Sequence, residues 1–213
     1  MDTTYSFEIY SHTSTLPSEW NSIAVGNIFL TSEYLEVLEK SAPTNMICHF
    51  IGLFKKEELV GIALSQFLNL NQMESFGERD KCVKTAVRNT VFKNFASHIL
   101  IIGNNMLTGQ NAFIFSDKID RIQGLKTLKL ASEKLKSSFK NKGTKIHITT
   151  FKDFGTEETT SFKQAGFQKH FQYSTQPNMV FNIPSQWKSE QDYIDALLKK
   201  YRDQYKRARK KGE

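Results

Sequence analysis

The chain has few cysteines, few prolines and no long apolar run, and these shortages exclude several classes of protein. Only two of its 213 residues are cysteine, Cys48 and Cys82, so a disulfide framework is excluded. Neither belongs to a CxxC pair or a cysteine–histidine cluster, and we therefore predict no metal site. The longest apolar run near the middle, Ile99–Ile102, is far too short to span a bilayer, so we expect no stable membrane insertion.

The N-terminus also lacks the features of a secretory leader. Its first ten residues, MDTTYSFEIY, have neither a positive flank nor an apolar core. With the low cysteine content, this pattern predicts a cytoplasmic protein. Apolar residues make up 39% of the chain and phenylalanine alone contributes 17 residues, which is too rich for a disordered chain. We expect a packed core.

The net charge of +7 is concentrated at one end of the sequence. Residues 199–213 contain eight Lys or Arg and two acidic residues, so the rest of the chain is nearly neutral. Three interpretations stay open: a helix that packs on the body with its charges in water, phosphate binding to nucleic acid, and adhesion to an anionic membrane surface. The helix contains no Trp and its Leu and Tyr stripe is needed for packing, which disfavours the membrane.

Alternating apolar residues rich in β-branched and aromatic side chains predict the strands. Two of them flank a charged turn at Lys55–Glu58 and form a hairpin. The predicted strands are Tyr5–Tyr10, Met46–Phe54, Leu59–Leu68, Ile99–Ile102, Ala112–Phe115, Lys145–Phe151, Phe167–Thr175 and Met179–Ile183.

Apolar residues spaced three and four apart predict the helices. The clearest stripe runs from Ile119 to Phe139, with Gly143 beyond its end as a helix-ending glycine. Ser189 and Asp192 resemble a capping box at the start of the last helix. The predicted helices are Ser18–Val25, a helix capped by Thr31 or Ser32 that closes before Pro43, Arg79–Phe95, about Asp117–Lys140, Thr156–Ala165 and Ser189–Lys211.

The order of these elements resembles the GNAT acyltransferase fold. Ser161–Phe167 (SFKQAGF) is similar to the F-Y-x-x-x-G-F turn near that family's C-terminal end, and Arg121–Lys126 (RIQGLK) is similar to R/Q-x-x-G-x-G/A at the start of its long helix. The likeness covers about residues 5–184. It implies an α/β fold with a mixed, mostly antiparallel sheet flanked by helices, here followed by a basic C-terminal helix.

The resemblance implies an enzyme, a GNAT-type acyltransferase that transfers an acyl or aminoacyl group to an amine. In that family, N–H groups at the start of the long helix hold the pyrophosphate of acetyl-CoA or another acyl-CoA, and a neighbouring strand edge polarises the reacting carbonyl. The matching cofactor-binding residues in this chain are Ile101, Ile102, Gly103, Arg121, Gln123, Gly124 and Lys126.

The chain departs from the family pattern at two positions. Lys126 replaces the last small residue of the phosphate motif, so the site could be degenerate and hold no cofactor. Phe162 replaces the tyrosine that protonates the leaving thiolate, and a phenyl ring has no proton to give. Tyr173 or a water is the substitute acid, and His98, beside the end of a strand, is the candidate base.

These departures fit one branch of the superfamily better than the others. The chain resembles the N-terminal half of Fem-type peptidoglycan aminoacyltransferases, the peptidoglycan biosynthesis/recognition proteins, whose chains join two GNAT-like domains. Leu198–Gly212 is similar to the segment that leads into the second domain. The resemblance implies a GNAT-like domain at residues 1–187, a basic helix at 188–213 and a second domain in a longer chain. It also implies a small-molecule or peptide amine as acceptor and tRNA bound through Lys199–Lys211.

Two alternatives to acyl transfer stay open. The same scaffold without a cofactor site would be a recognition domain for a cell-wall peptide or a partner domain. The terminal helix alone would be a nucleic-acid-binding element. The loop Gly103–Gly109, rich in Asn and Gly, is interpreted first as a turn that breaks a strand and second as a lining for a ligand.

Overall fold

The structure, a computed structural model, describes residues 4–72, 90–107, 109, 112–174 and 181–212. The chain divides into two compact units, residues 1–170 and 171–213. The first unit holds a mixed sheet with helices on both faces, and the second holds two helices. The expected division at residues 187 and 188 stays a prediction.

A six-stranded sheet organises the first unit, in the order β1-β2-β3-β4-β6, with β5 also paired to β3. The β4–β6 pair is parallel and the other pairs are antiparallel. The predicted mixed, mostly antiparallel sheet flanked by helices is therefore confirmed. The strands are β1 (Tyr5–Tyr10), β2 (Met46–Lys55), β3 (Glu58–Asn69), β4 (His98–Ile102), β5 (Phe113–Phe115) and β6 (Ile148–Phe151).

Two of the helices of the first unit begin at a side-chain cap. Thr31 accepts the Tyr34 N–H at the start of α2, as predicted. Asp120 accepts two N–H groups at the start of α3, which therefore begins at Arg121 and not at Asp117. The helices are α1 (Trp20–Ile23), α2 (Ser32–Ser41), α3 (Arg121–Asn141), α4 (Thr159–Phe162), α5 (Glu190–Ala196) and α6 (Lys199–Gly212).

The long strand β3 pairs with two segments on one side. Ser65–Asn69 pairs with β4, and Gly61–Ala63 pairs with β5. Between them, the Gly103 N–H donates to the Leu64 carbonyl and the Leu64 N–H donates to the Ala112 carbonyl. β4 and β5 are therefore two halves of one strand line, interrupted by a loop.

Two apolar clusters cover the two faces of the sheet. Neighbouring residues of β3 alternate between the clusters, as the pleat requires. On one face, α3 and α4 pack on the sheet through residues such as Leu128 and Phe162. On the other face, α1 and α2 pack through Trp20 and Leu35. The buried indole N–H of Trp20 donates to the Leu30 carbonyl, 2.8 Å away.

The two strands predicted after Gly166 are wrong in the residues that the structure describes. A further helical turn, Lys163–Phe167, follows α4, and Gly166 within it has a non-helical φ of 96°. Residues 171–174 and 181–184 form neither helix nor strand. Among the described residues they pair with no strand, and alternation alone does not make a strand.

The predicted C-terminal helix Ser189–Lys211 consists of two helices. The capping box of Ser189 and Asp192 is present at its start, as predicted. The helix breaks at Leu197, whose ψ of 140° is extended backbone. No described helix is long and apolar enough to cross a bilayer.

Part of one predicted helix and one cysteine lie outside the described residues. Residues 90–95 of the predicted helix Arg79–Phe95 are helical, and its earlier part cannot be compared. Cys82 belongs to that part. Cys48 is buried and has no disulfide partner, as expected for a small core residue.

His49 is a titratable side chain largely removed from water. Its ring packs edge-on against Phe139 of α3, with 5.6 Å between centroids. Burial, and secondarily the charge of Lys142, lower the pKa of His49 to about 4. The imidazole is therefore neutral in the folded protein near neutral pH.

We predict that His49 makes the fold sensitive to mild acid. Below pH 6.5 the unfolded chain gains a proton at this position that the folded chain does not bind until about pH 4. The free energy of unfolding should therefore fall across this interval, by up to about 3 kcal/mol. His49→Leu should remove that part of the slope in urea titrations between pH 4 and 7.5. The exposed His170→Gln variant is the control and should keep it; equal slopes in wild type and His49→Leu would contradict the prediction.

Candidate functional site

The interrupted strand line leaves a gap in the sheet. β6 pairs with β4 along Ile148–Phe151, and the last bond runs from the Lys152 N–H to the Ile102 carbonyl. Beyond it, β5 continues along β3, whereas the chain after Lys152 leaves the sheet. A cavity of about 310 Å³ lies against β5 at this point. Its lining residues are Val25, Gly26, Asn27, Ala112, Phe113, Ile114, Phe115, Arg121, Asp153 and Glu158.

The main chain of β5 presents polar groups to this cavity. In an antiparallel pair, successive residues alternate between bonding to the partner strand and pointing away from it. Ser116 donates its N–H to Val60, and Ile114 faces Ile62 in the same register. The N–H and C=O groups of Phe113 and Phe115 therefore point away from β3, toward the cavity.

Arg121 is fixed at the wall of the cavity. It is the first residue of α3, and its guanidinium carbon lies 4.9 Å from the ring centroid of Phe113 and 5.0 Å from that of Phe115. The same guanidinium donates to Oε1 of Glu158. The ring faces and the carboxylate together hold this cation in one position.

Two carboxylates, Glu158 and Asp153, are among the described lining residues of the cavity. Oε2 of Glu158 is buried and has no hydrogen-bond partner within the part of the chain that the structure describes. Asp153, with a φ of 58°, accepts from the Lys152 ammonium at 2.6 Å and lines the same cavity. A buried carboxylate oxygen without a donor is costly, so it favours a ligand that brings an N–H group.

Lys152 fastens the loop after β4 to the end of β6. Its ammonium donates to the carbonyl of Asn104 at 3.1 Å and to the carbonyl of Leu107, as well as to Asp153. All three donors of this ammonium therefore have acceptors. One side chain therefore connects the loop to the wall of the cavity.

Buried amides hold the same loop from the other side. Asn104 is 1% exposed and donates to the Tyr34 hydroxyl. The fully buried Gln66 of β3 accepts the Asn105 N–H at 2.6 Å. Gly103, with a φ of 137°, begins the loop. The predicted strand-breaking loop is thus held by specific hydrogen bonds up to Leu107. Thr108 lies outside the described residues.

The start of α3 is capped by the chain itself. The Asp120 carboxylate accepts the N–H groups of Ile122 and Gln123, and the Gly124 N–H bonds to the Asp120 carbonyl. A bound pyrophosphate would need these N–H groups and would meet a carboxylate of the same charge sign. Asp120 therefore takes the position expected for the phosphate.

Of the predicted cofactor-binding residues, Arg121 lines the cavity. Ile101 and Ile102 lie in β4 between β3 and β6, and the Gly103 N–H donates to the Leu64 carbonyl. The main chain at these three residues is therefore engaged in pairing within the sheet. Gly124 is buried and Lys126 is exposed; these two and Gln123 are not among the lining residues.

The predicted catalytic residues do not line the cavity. His98 lies at the opposite end of β4, where its Nδ1 contacts the Lys145 carbonyl at 3.0 Å and its ring stacks on His147. Tyr173 belongs to the second unit, is 61% exposed and stacks on Phe171.

Sequence reasoning missed Asp153 and Glu158. The sequence predicts a helix over Thr156–Ala165, and acidic residues in the first turn of a helix are ordinarily explained by its positive end, so Glu158 has no separate signal there. In the structure Gly155 is the cap position of this segment and makes no side-chain bond. The available signal was the position of these acids just after a predicted strand, where clefts form in α/β sheets. In the described ranges, no group of three or more His, Cys, Asp or Glu side chains is placed to hold a metal ion.

Comparison of the chain with protein-family models, with curated proteins and with solved structures finds no match. The interpretation of the cavity therefore depends on its residues and their geometry.

We predict that Gly124 is required for the wall of the cavity. A Cβ at this position would lie 2.7 Å from the Phe115 ring. Gly124→Ala should therefore cost about 1 kcal/mol, because the overlap outweighs the gain in helix propensity. In a Phe115→Ala background the same change should stabilise α3 by up to about 1 kcal/mol. Chemical denaturation of the four variants measures the difference, and a stabilising Gly124→Ala in the wild-type background would be the opposite result.

Proposed function

We propose that the first unit is a GNAT-like domain of an acyltransferase-type protein, and that its cavity binds the primary amine that accepts an acyl or aminoacyl group. The arrangement of the sheet supports the proposal. An antiparallel run from β1 to β4 is followed by the long helix α3 and by β6 parallel to β4. The cavity lies where the strand line of β4 and β5 separates from β6.

The observation that carries the proposal is the unpartnered oxygen of Glu158. Arg121 occupies Oε1, and Oε2 is buried without a donor among the described residues. An ammonium group supplies several N–H donors. Asp153 adds a second carboxylate to the same cavity, paired with Lys152. An ammonium can donate to the buried oxygen of Glu158, whereas a phosphate would meet it with further acceptor oxygens, so the site favours the amine.

The transfer chemistry follows from this placement. The amine, after losing its extra proton to solvent, attacks the carbonyl of a thioester or ester, so that a C–N bond forms and the C–S or C–O bond breaks. The N–H groups of Phe113 and Phe115 are the main-chain donors placed to stabilise the developing oxyanion. After attack the nitrogen releases one more proton to solvent to become the amide, and the thiolate or alkoxide leaves and takes up a proton from solvent.

A recognition domain without transfer is the second candidate. It is favoured by Asp120, whose carboxylate satisfies the N–H groups that a cofactor's phosphates would need. In this case the cavity binds the amine of a cell-wall peptide or of a partner domain, and the chemistry takes place elsewhere.

We predict that Glu158 determines amine binding. Titration calorimetry with Nα-acetyl-lysine amide should show binding, and the Nε-acetylated form should not bind, because its side chain has no charge. Glu158→Gln should weaken the binding at least about tenfold, the usual loss for a hydrogen bond to a charged group. Glu133→Gln, on the exposed face of α3, is the matched control and should have no effect.

Acetyl-CoA separates the two candidate functions. Saturable binding of acetyl-CoA together with the amine favours acyl transfer, whereas amine binding alone favours recognition. Equal heats for the lysine amide and its acetylated form, or an unchanged affinity in Glu158→Gln, would overturn the assignment of the cavity.

A further inference from the structure

The second unit is a helix pair whose inner face is defined by specific contacts. Arg202 of α6 donates to the carbonyls of Asp195 and Leu197 at the end of α5, at 2.9 and 3.0 Å. Tyr205 donates to Glu190, and Arg209 lies 3.8 Å from the same carboxylate. These three side chains of α6 therefore face α5.

The other cations of α6 lie on a different face. At 100° per residue, they occupy an arc of about 140°, outside the arc that carries Arg202, Tyr205 and Arg209. Asp203 is the single acid on this arc, and all six cations are exposed to solvent. The members of this cationic face are Lys199, Lys200, Lys206, Arg207, Lys210 and Lys211.

The cationic face forms two rows along the helix. Lys199, Lys206 and Lys210 make one row, and the other three cations make the second, about 100° around the axis. Each row extends over most of the helix, which is about 21 Å long. A ligand that matches it must carry negative charges at regular intervals over a similar length.

We propose that the cationic face of α6 binds the phosphodiester backbone of nucleic acid. Phosphates repeat along each strand, and lysine ammonium groups bind them as point charges without reading the bases. Five of the six cations are Lys, and the one amide of the helix, Gln204, lies just outside the arc of the cationic face. Binding should therefore be independent of base sequence.

An anionic membrane fits this helix less well. A helix that lies on a membrane needs a free apolar face on the side opposite its charges. In α6 that side consists of Tyr201, Tyr205 and Ala208, and the Tyr205 ring already packs on Tyr193 of α5, with 6.5 Å between centroids. The charges of α6 could attract an anionic membrane, but the helix lacks a free apolar face that would insert into it.

The salt dependence of binding tests the proposal. With the full chain and a labelled 20-base-pair DNA of mixed sequence, fluorescence anisotropy should show a slope of log K against log salt of about −5, as expected for six phosphates. Lys206→Gln, Arg207→Gln and Lys210→Gln together should reduce the slope to about −3 and weaken binding about tenfold or more at low salt. A second sequence of equal length should bind equally well.

The control variant has the same net charge as the triple variant of α6, but its three substitutions lie in the first unit. Lys134→Gln, Lys136→Gln and Lys140→Gln on the exposed side of α3 remove three charges as well and should leave slope and affinity unchanged. Circular dichroism of both triple variants checks that they fold. An equal loss in the two variants, or no binding of wild type at 20 mM salt, overturns the proposal. Binding to vesicles with 30% phosphatidylserine but not to DNA would replace nucleic acid by a membrane.

Discussion

The divided pairing of β3 is the constraint on which the rest of the first unit depends. The first half of β3 pairs with β5, and its second half pairs with β4. Because β6 follows β4 only, the sheet separates at the boundary between the two halves. The cavity and the exposed main chain of β5 both lie at this separation.

The electrostatics of the cavity follow from how its single guanidinium is held. Arg121 is enclosed by two phenyl faces and a carboxylate, so its charge is already balanced within the protein. The charge of Asp153 is likewise balanced by Lys152, so what the cavity lacks is a hydrogen-bond donor to the second oxygen of Glu158. A motif that suggested phosphate binding in the sequence thus lies in surroundings that favour a ligand with N–H donors.

Much of the fold could be predicted from the sequence because its signals are local. The hairpin, the cap at Thr31 and the capping box at Ser189 depend on neighbouring residues and are confirmed. The strands predicted after Gly166 failed because a strand needs a partner that local alternation does not reveal. The site was harder still, since Asp153 and Glu158 meet Arg121 only through the tertiary course of the chain. The mixed sheet is established, and the GNAT-like interpretation of it stays a proposal.

The loop between β4 and β5 has a consequence for how the protein can vary. Both of its ends are fastened to the same residue, since Leu64 accepts from Gly103 and donates to Ala112. Changes in the length of the loop after Leu107 would therefore leave the register of either half-strand unchanged, and would also preserve the buried contacts of Asn104 and Asn105. The fold thus contains one place where evolution can lengthen or shorten the chain while the scaffold stays the same.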